Sequence, residues 1–211
     1  MDALHPIEIR VLGALLEKEH TTPEYYPLTL NALLNACNQK SSRDPVVNYD
    51  EDTVLRAWEL LRQKGLAVRL TGAGHRVEKY SHALGEKLNL GRREIALLCV
   101  LMLRGPQTVG ELRGRSERIH DFADLEEVES VLQALASRQL VTPMPRGRWA
   151  QLLGGVPEDK ASLDRDPEQA HPVARAQAAG EDSKLGERVA ALEREMAELK
   201  QTLANFRKQF E

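Results

Sequence analysis

Apolar residues recur along the first third of the chain at the three- and four-residue intervals of a helix, then switch to the two-residue interval of a strand. Ile9, Leu12, Leu15 and Leu16 mark a first helix, with Pro6 suited to its first turn. Thr22, Pro23, Glu24 and Pro27 interrupt the pattern. Leu30, Leu33, Leu34 and Cys37 mark a second helix, and a polar connector over residues 39–48 follows. A third helix begins near Asp50 and places Val54, Leu55, Trp58 and Leu61 on one face, with Gly65 as its left-handed C-terminal residue. Leu66, Val68 and Leu70 then alternate as in a strand, Gly72-Ala73-Gly74 reads as a turn, and residues 76–80 as the returning strand.

The same order of helix, helix, helix and hairpin returns. Ile95, Leu98, Leu101 and Met102 match Ile9, Leu12, Leu15 and Leu16 at an offset of 86, and Thr22 maps to Thr108 at that offset. Trp58, Leu61 and Leu66 match Leu132, Leu135 and Leu140 at an offset of 74, so the second copy is shorter by 86 − 74 = 12 residues. Thr108 with Glu111 reads as a capping box opening the second helix of this copy, and Asp124 with Glu127 as a similar cap opening its third. Residues 140–144 and 148–152 read as strands around Pro145-Arg146-Gly147. The expected fold is mainly α with small β-hairpin wings: two tandem winged-helix, helix-turn-helix-like domains at residues 1–88 and 89–153.

From residue 154 the apolar period disappears, and residues 154–183 read as a flexible linker rich in Gly, Pro, Ala, Asp and Glu. In residues 184–211, Leu185, Val189, Leu192, Met196, Leu199, Leu203, Phe206 and Phe210 follow a 4, 3 alternation, the seam of a coiled-coil helix. In a parallel pair Arg188 would face Glu193, and Glu195 would face Lys200, which favours a homodimer over an amphipathic helix folded back on its own domains.

Three stretches carry a resemblance. Thr21-Thr22-Pro23-Glu24-Tyr25-Tyr26-Pro27-Leu28, then Asn35-Ala36-Cys37-Asn38-Gln39-Lys40-Ser41-Ser42-Arg43-Asp44-Pro45-Val46, resemble the hallmark of the YceH-like family of uncharacterised bacterial proteins. Leu103-Arg104-Gly105-Pro106-Gln107-Thr108-Val109-Gly110-Glu111-Leu112-Arg113 is similar to the same family. The resemblance implies a pair of winged-helix domains and brings no catalytic residues with it.

Composition narrows the classes of function. A net charge of −3 excludes a polycation that coats nucleic acid indiscriminately. Cys37 and Cys99 each lie in an apolar run and form no Cys-x-x-Cys pair, which suits buried, reduced thiols. No secretion signal is expected at the start, and the longest apolar run, residues 95–103, is far short of a membrane span, so a cytoplasmic location is expected. The six histidines are scattered, and no phosphate loop, nucleophile elbow or zinc spacing occurs, so no enzyme, cofactor or metal is expected.

Duplex DNA is the expected partner of a winged helix, with a protein partner as the alternative. The third helices open with Asp50-Glu51-Asp52 and with Asp124-Leu125-Glu126-Glu127, acids that suit a helix N-terminus and repel phosphates. Positive charge gathers instead on the connector (Lys40, Arg43), on the first wing (Arg69, His75, Arg76, Lys79), after the start of the second copy's second helix (Arg113, Arg115, Arg118) and on the second wing (Arg146, Arg148). All of these but Arg118 are the candidate nucleic-acid contacts. The amides Asn31, Asn35, Asn38, Gln39 and Asn48 are read as mostly structural, and Trp58 and Trp149 as core.

Overall fold

The computed structural model describes residues 3–70 and 77–155, which are mainly helical with small antiparallel sheets. The first helix, α1 (Pro6–Thr21), begins at the expected proline, where a missing N–H costs no helical hydrogen bond. Glu8 accepts the His5 N–H at 2.7 Å. α2 (Leu30–Cys37) is capped by Thr29, whose hydroxyl accepts the Ala32 N–H. α3 (Glu51–Gln63) is capped by Asp50 in the same way and is followed by Gly65 at φ +67°. Its C-terminal Lys64 reaches back to α1, where Nζ donates to the buried Glu8 at 2.6 and 2.9 Å.

β1 (Ala67–Leu70) pairs with β2 (Lys79–His82), from Ala67 opposite His82 to Leu70 opposite Lys79. The returning strand thus starts three residues later than the expected residue 76. The alternation of Leu66, Val68 and Leu70 does not mark an inward face. Leu66 and Ala67 are buried, while Val68 and Leu70 are exposed, 43% and 40%. The inner face is instead closed by Arg69, whose guanidinium lies over the rings of Trp58 and Tyr80. A short helix that the sequence pattern does not announce, α4 (Leu84–Leu88), ends the first half.

α5 (Arg92–Arg104) opens the second half. β3 (Gln107–Thr108) leads into α6 (Val109–Ser116), where Thr108 and Glu111 form the expected capping box. α7 (Leu125–Ser137) is capped by Asp124, and the Ala123 N–H donates to Glu127. β4 (Val141–Met144) and β5 (Arg148–Gln151) close the hairpin around Pro145–Gly147. β3 adds to β5 as a third strand, and its counterpart in the first half is a single bridge between Leu28 and Tyr80.

The caps correct the register of the repeat. Thr22 ends α1, whereas Thr108 opens α6 as Thr29 opens α2. The helix starts are therefore offset by 92 − 6 = 86, 109 − 30 = 79 and 125 − 51 = 74. The 12 extra residues of the first copy split into seven before its second helix and five after it.

All described residues lie in one compact unit with a shared core, so α1 and α5 meet across the expected boundary at residue 88. Ile95 to Leu103 are buried without a break, as are Arg10 to Leu16 on α1. A helix buried all round needs apolar cover on every side, and each of these two helices supplies cover for the other. Equivalent positions touch at the crossing, where the Cys99 thiol lies 3.5 Å from the Gly13 carbonyl oxygen. A Cβ on Gly13 would sit 3.0 Å from Leu103 and 3.2 Å from Met102. The expected linker at residues 154–183, but for its first two residues, and the coiled-coil positions at residues 184–211 lie outside the described residues.

A branched side chain at the crossing tests this packing. Gly13→Val should lower stability to urea by about 1–3 kcal/mol, since overpacking a dense core displaces its neighbours. An unchanged midpoint and slope would show that α1 and α5 do not approach closely in solution.

Candidate functional site

The connector after α2 is an ordered knot rather than an exposed loop. Arg10, buried on α1, donates to the Cys37 carbonyl at 3.1 Å and the Pro45 carbonyl at 2.6 Å, so one side chain holds both ends of the segment. Burial, with Arg43 nearby, lowers the Arg10 pKa from its ordinary value. Burial also pushes the Cys37 thiol up to about 12, which leaves it an inert packing group. Asn38 closes the far end, donating to the Tyr49 carbonyl at 2.8 Å and accepting the Tyr49 N–H at 2.9 Å. The Asp44 N–H donates to the Leu103 carbonyl at 2.9 Å, which ties the connector to α5.

Arg43 is the main correction. It was expected on an exposed connector as a nucleic-acid contact, but its side chain is 0% exposed. It forms a bidentate pair with Glu17 of α1, at 3.0 and 2.6 Å. It also donates to the Ala36 and Ser42 carbonyls and to the Gln39 amide oxygen. No donor is left for a phosphate.

The other expected contacts divide. Lys40 is exposed beside the knot. Arg69 is held by Glu59 at 3.5 Å and Glu78 at 3.1 Å, so the first wing is locally neutralised. Lys79 is half-buried in β2. Arg113 is exposed but donates to the Phe122 and Ala123 carbonyls, bracing the turn before α7. Arg115 lies 3.2 Å from Glu111. Arg146, at φ 63°, and Arg148 stand exposed on the second wing. His75 and Arg76 lie outside the described residues, as do Leu185, Val189, Leu192, Met196, Leu199, Leu203, Phe206 and Phe210.

What the fold brings together is the connector and the second half. Ser42 meets Arg104 at the end of α5, Arg115 on α6 and Arg118 just beyond it around one cleft. Glu111, accepting the Thr108 N–H, has its carboxyl held below the usual range, and Arg115 and Arg148 add to that effect. The Glu111 carboxyl thus feels Arg115 on its own helix and Arg148 on β5. Arg104 is the residue that sequence reasoning missed. Its only signal is a cation closing a nine-residue apolar run, the place where a buried helix reaches the surface. A larger groove of about 380 Å³ between α6 and α7 has Arg113, Glu117 and Asp121 in its lining, and Arg113 is already engaged. That groove offers no cation to an anionic ligand.

A second titratable cluster anchors β2 to α1. His82 Nε2 lies 2.8 Å from Glu19, and the His82 N–H donates to the Tyr26 hydroxyl at 2.8 Å. The hydrogen bond with His82 holds the Glu19 carboxyl below its ordinary value, and burial lowers the pKa of His20. Among the described residues no group of three His, Cys, Asp or Glu side chains is arranged to hold a metal, and no helix is long and apolar enough to cross a membrane.

Residues 4–148 match the family described as "Protein of unknown function, DUF480". The chain belongs to this family. Relatives named UPF0502 protein extend the DUF480 likeness beyond those residues. One from Solibacter usitatus is 55% identical, over 99% of this chain and 98% of the relative. One from Geotalea daltonii is 53% identical, over 87% and 85%. A third, from Geobacter sulfurreducens, is 48% identical, over 99% and 98%. The hallmark stretch that suggested an uncharacterised bacterial family is, in this DUF480 chain, the segment knotted by Arg10 and Arg43.

Removing the charge at the centre of the knot separates structure from recognition. Arg43→Met should cost about 1–3 kcal/mol of unfolding free energy, because the Ala36 and Ser42 carbonyls lose their donor and the half-buried Glu17 its partner. Unchanged stability in this variant, measured by urea denaturation, would show that the pair is not buried in solution.

Proposed function

We propose that the chain is a non-enzymatic, nucleic-acid-associated protein of two tandem winged-helix domains. It contacts duplex phosphates through the connector, α6 and the second wing. The helix, helix, helix, hairpin order in both halves supports the winged-helix reading. The observation that carries the functional reading is the convergence of Ser42, Arg104, Arg115 and Arg118 on one cleft, with Arg148 near enough to Glu111 to act on its carboxyl. The cleft's cations come from the second half, and Thr21 and Ser42 of the first half line it with them.

The third helices do not serve as recognition helices in this reading. The exposed residues of α7 include Leu125, Glu126, Glu129, Ser130 and Gln133, and α7 carries no Lys or Arg. An acidic helix would meet the phosphates flanking the major groove with repulsion. A second reading, a protein-interaction scaffold, draws on the first wing. There Val68, Leu70 and Val77 are exposed and Arg69 is paired with acids, which suits an apolar partner surface better than a polyanion. The C-terminal heptads would add homodimerisation to either reading.

Binding of the full chain to a random-sequence duplex should weaken steeply with salt. Six cations, Lys40, Arg104, Arg115, Arg118, Arg146 and Arg148, are available, so the slope of log K against log salt should fall between about −3 and −5. Arg146→Ala with Arg148→Ala should make the slope shallower by up to about 0.9 for each phosphate no longer neutralised. Glu126→Gln with Glu129→Gln should leave affinity equal or improved. No binding at low salt, or a slope near zero, would leave the scaffold reading in its place.

A further inference from the structure

Between the connector and α6 the surface opens into a cleft of about 40 Å³. Thr21 and Ser42 line it from the first half, and Arg104, Arg115 and Arg118 from the second. Its remaining lining is largely apolar, with Cys99, Val100, Leu103 and Ile119. A low-dielectric wall behind a charge strengthens that charge's attraction for an ion at the mouth. Glu17 also lines the cleft, but both of its oxygens are taken by Arg43. Arg115 is shared with Glu111. Among the described residues, neither Arg104 nor Arg118 has a carboxylate within ion-pair distance.

Three guanidiniums thus border one small opening, and of them only Arg115 has a carboxylate within ion-pair distance among the described residues. Arg104 is half-buried, and burial, with Arg115 and Arg43 close by, lowers its pKa from the ordinary value. The fold holds like charges together here, with Glu17 engaged by Arg43 and Glu111 by Arg115, and an anion would relieve the remaining repulsion. Ser42 adds a hydroxyl. Its backbone sits at φ 59°, a conformation that is unfavourable in a residue with a Cβ, and its carbonyl is fixed there by Arg43 at 3.0 Å.

We propose that this cleft is a phosphate subsite that takes one phosphoryl group at its mouth. Arg104 and Arg118 supply the charge, Arg115 a third set of donors, and Ser42 a hydroxyl. Guanidinium forks match the paired oxygens of a phosphoryl group, which favours phosphate over a halide. The volume admits little more than a water-sized group, so the ligand's bulk stays outside the cleft. The source of the phosphoryl group rests on the nucleic-acid reading above: it is a backbone phosphodiester.

Calorimetric titration of the full chain with inorganic phosphate, against chloride at equal ionic strength, reads the subsite without any duplex. Anisotropy of a labelled random duplex reads the source. Phosphate should bind saturably to the wild type. Binding should weaken by about tenfold or more in Arg104→Gln with Arg118→Gln and in the single Arg118→Glu, a loss of roughly 1.4 kcal/mol. Arg118 is exposed, so the single variant keeps the test independent of any disturbance at α5. Both variants should also weaken duplex binding. If phosphate binding behaves so and the wild type ignores duplex, the subsite stands with a free phosphorylated molecule as its ligand, and the nucleic-acid reading fails. If duplex binds while phosphate binds to neither wild type nor variants, or equally to all, the subsite is overturned and the nucleic-acid reading survives.

Discussion

The close approach of α1 and α5 is the constraint on which the rest of this structure depends. Two helices can be buried on all sides only if each covers the face that the other would leave to solvent. Gly13 permits the contact, with Leu103 and Met102 packed where a larger side chain would stand. Once these helices are fixed, the end of α5 lies against the connector, and the Asp44 N–H finds the Leu103 carbonyl. The cleft between the halves is thus a consequence of core packing rather than of loop geometry.

Arginine plays two distinct parts around that core. Arg10, Arg43, Arg92, Arg113 and Arg138 donate to backbone carbonyls that helix ends and turns leave without partners. Arg92 reaches the Ile119 carbonyl at 2.6 Å, and Arg138 the carbonyls of Leu88 and Asn89. These side chains secure the connector and the turns with five-donor forks that a lysine lacks. Arg104, Arg115 and Arg118, which line the cleft, and the exposed Arg146 and Arg148 stand outside this group, and the proposed recognition face draws on them. The chain's net negative charge is compatible with this, because residues 1–155 carry 20 acids against 20 lysines and arginines, and the surplus of acids lies in residues 156–211.

Much of the fold was legible in the sequence because its signals are local. The caps at Asp50, Thr108 and Asp124 and the glycine after α3 act within one helical turn, and they mark the observed boundaries. The failures were non-local. Thr22 and Thr108 share an offset but not a role, because the start of α2 depends on where the segment around Pro27 leads the chain. Val68 and Leu70 alternate with polar residues, yet Arg69 takes the inner face by stacking on Trp58 and Tyr80. Arg43 reads as a surface cation because its partner, Glu17, lies 26 residues earlier. The unbroken apolar run at residues 95–103 did carry a tertiary signal. It is too continuous for a helix with one solvent face, and it marks a helix buried between two halves.

Duplex contact can be mapped onto this architecture residue by residue, which tests the proposed interface most directly. Backbone amide resonances of the full chain can be followed by NMR as random duplex is added at low salt. Shifts should concentrate on the connector around Lys40 and Ser42, at Arg104, along α6 to Arg118 and at Arg148, with α3 and α7 little affected. Shifts centred on the exposed faces of α3 or α7, or spread evenly without a locus, would contradict this placement of the interface.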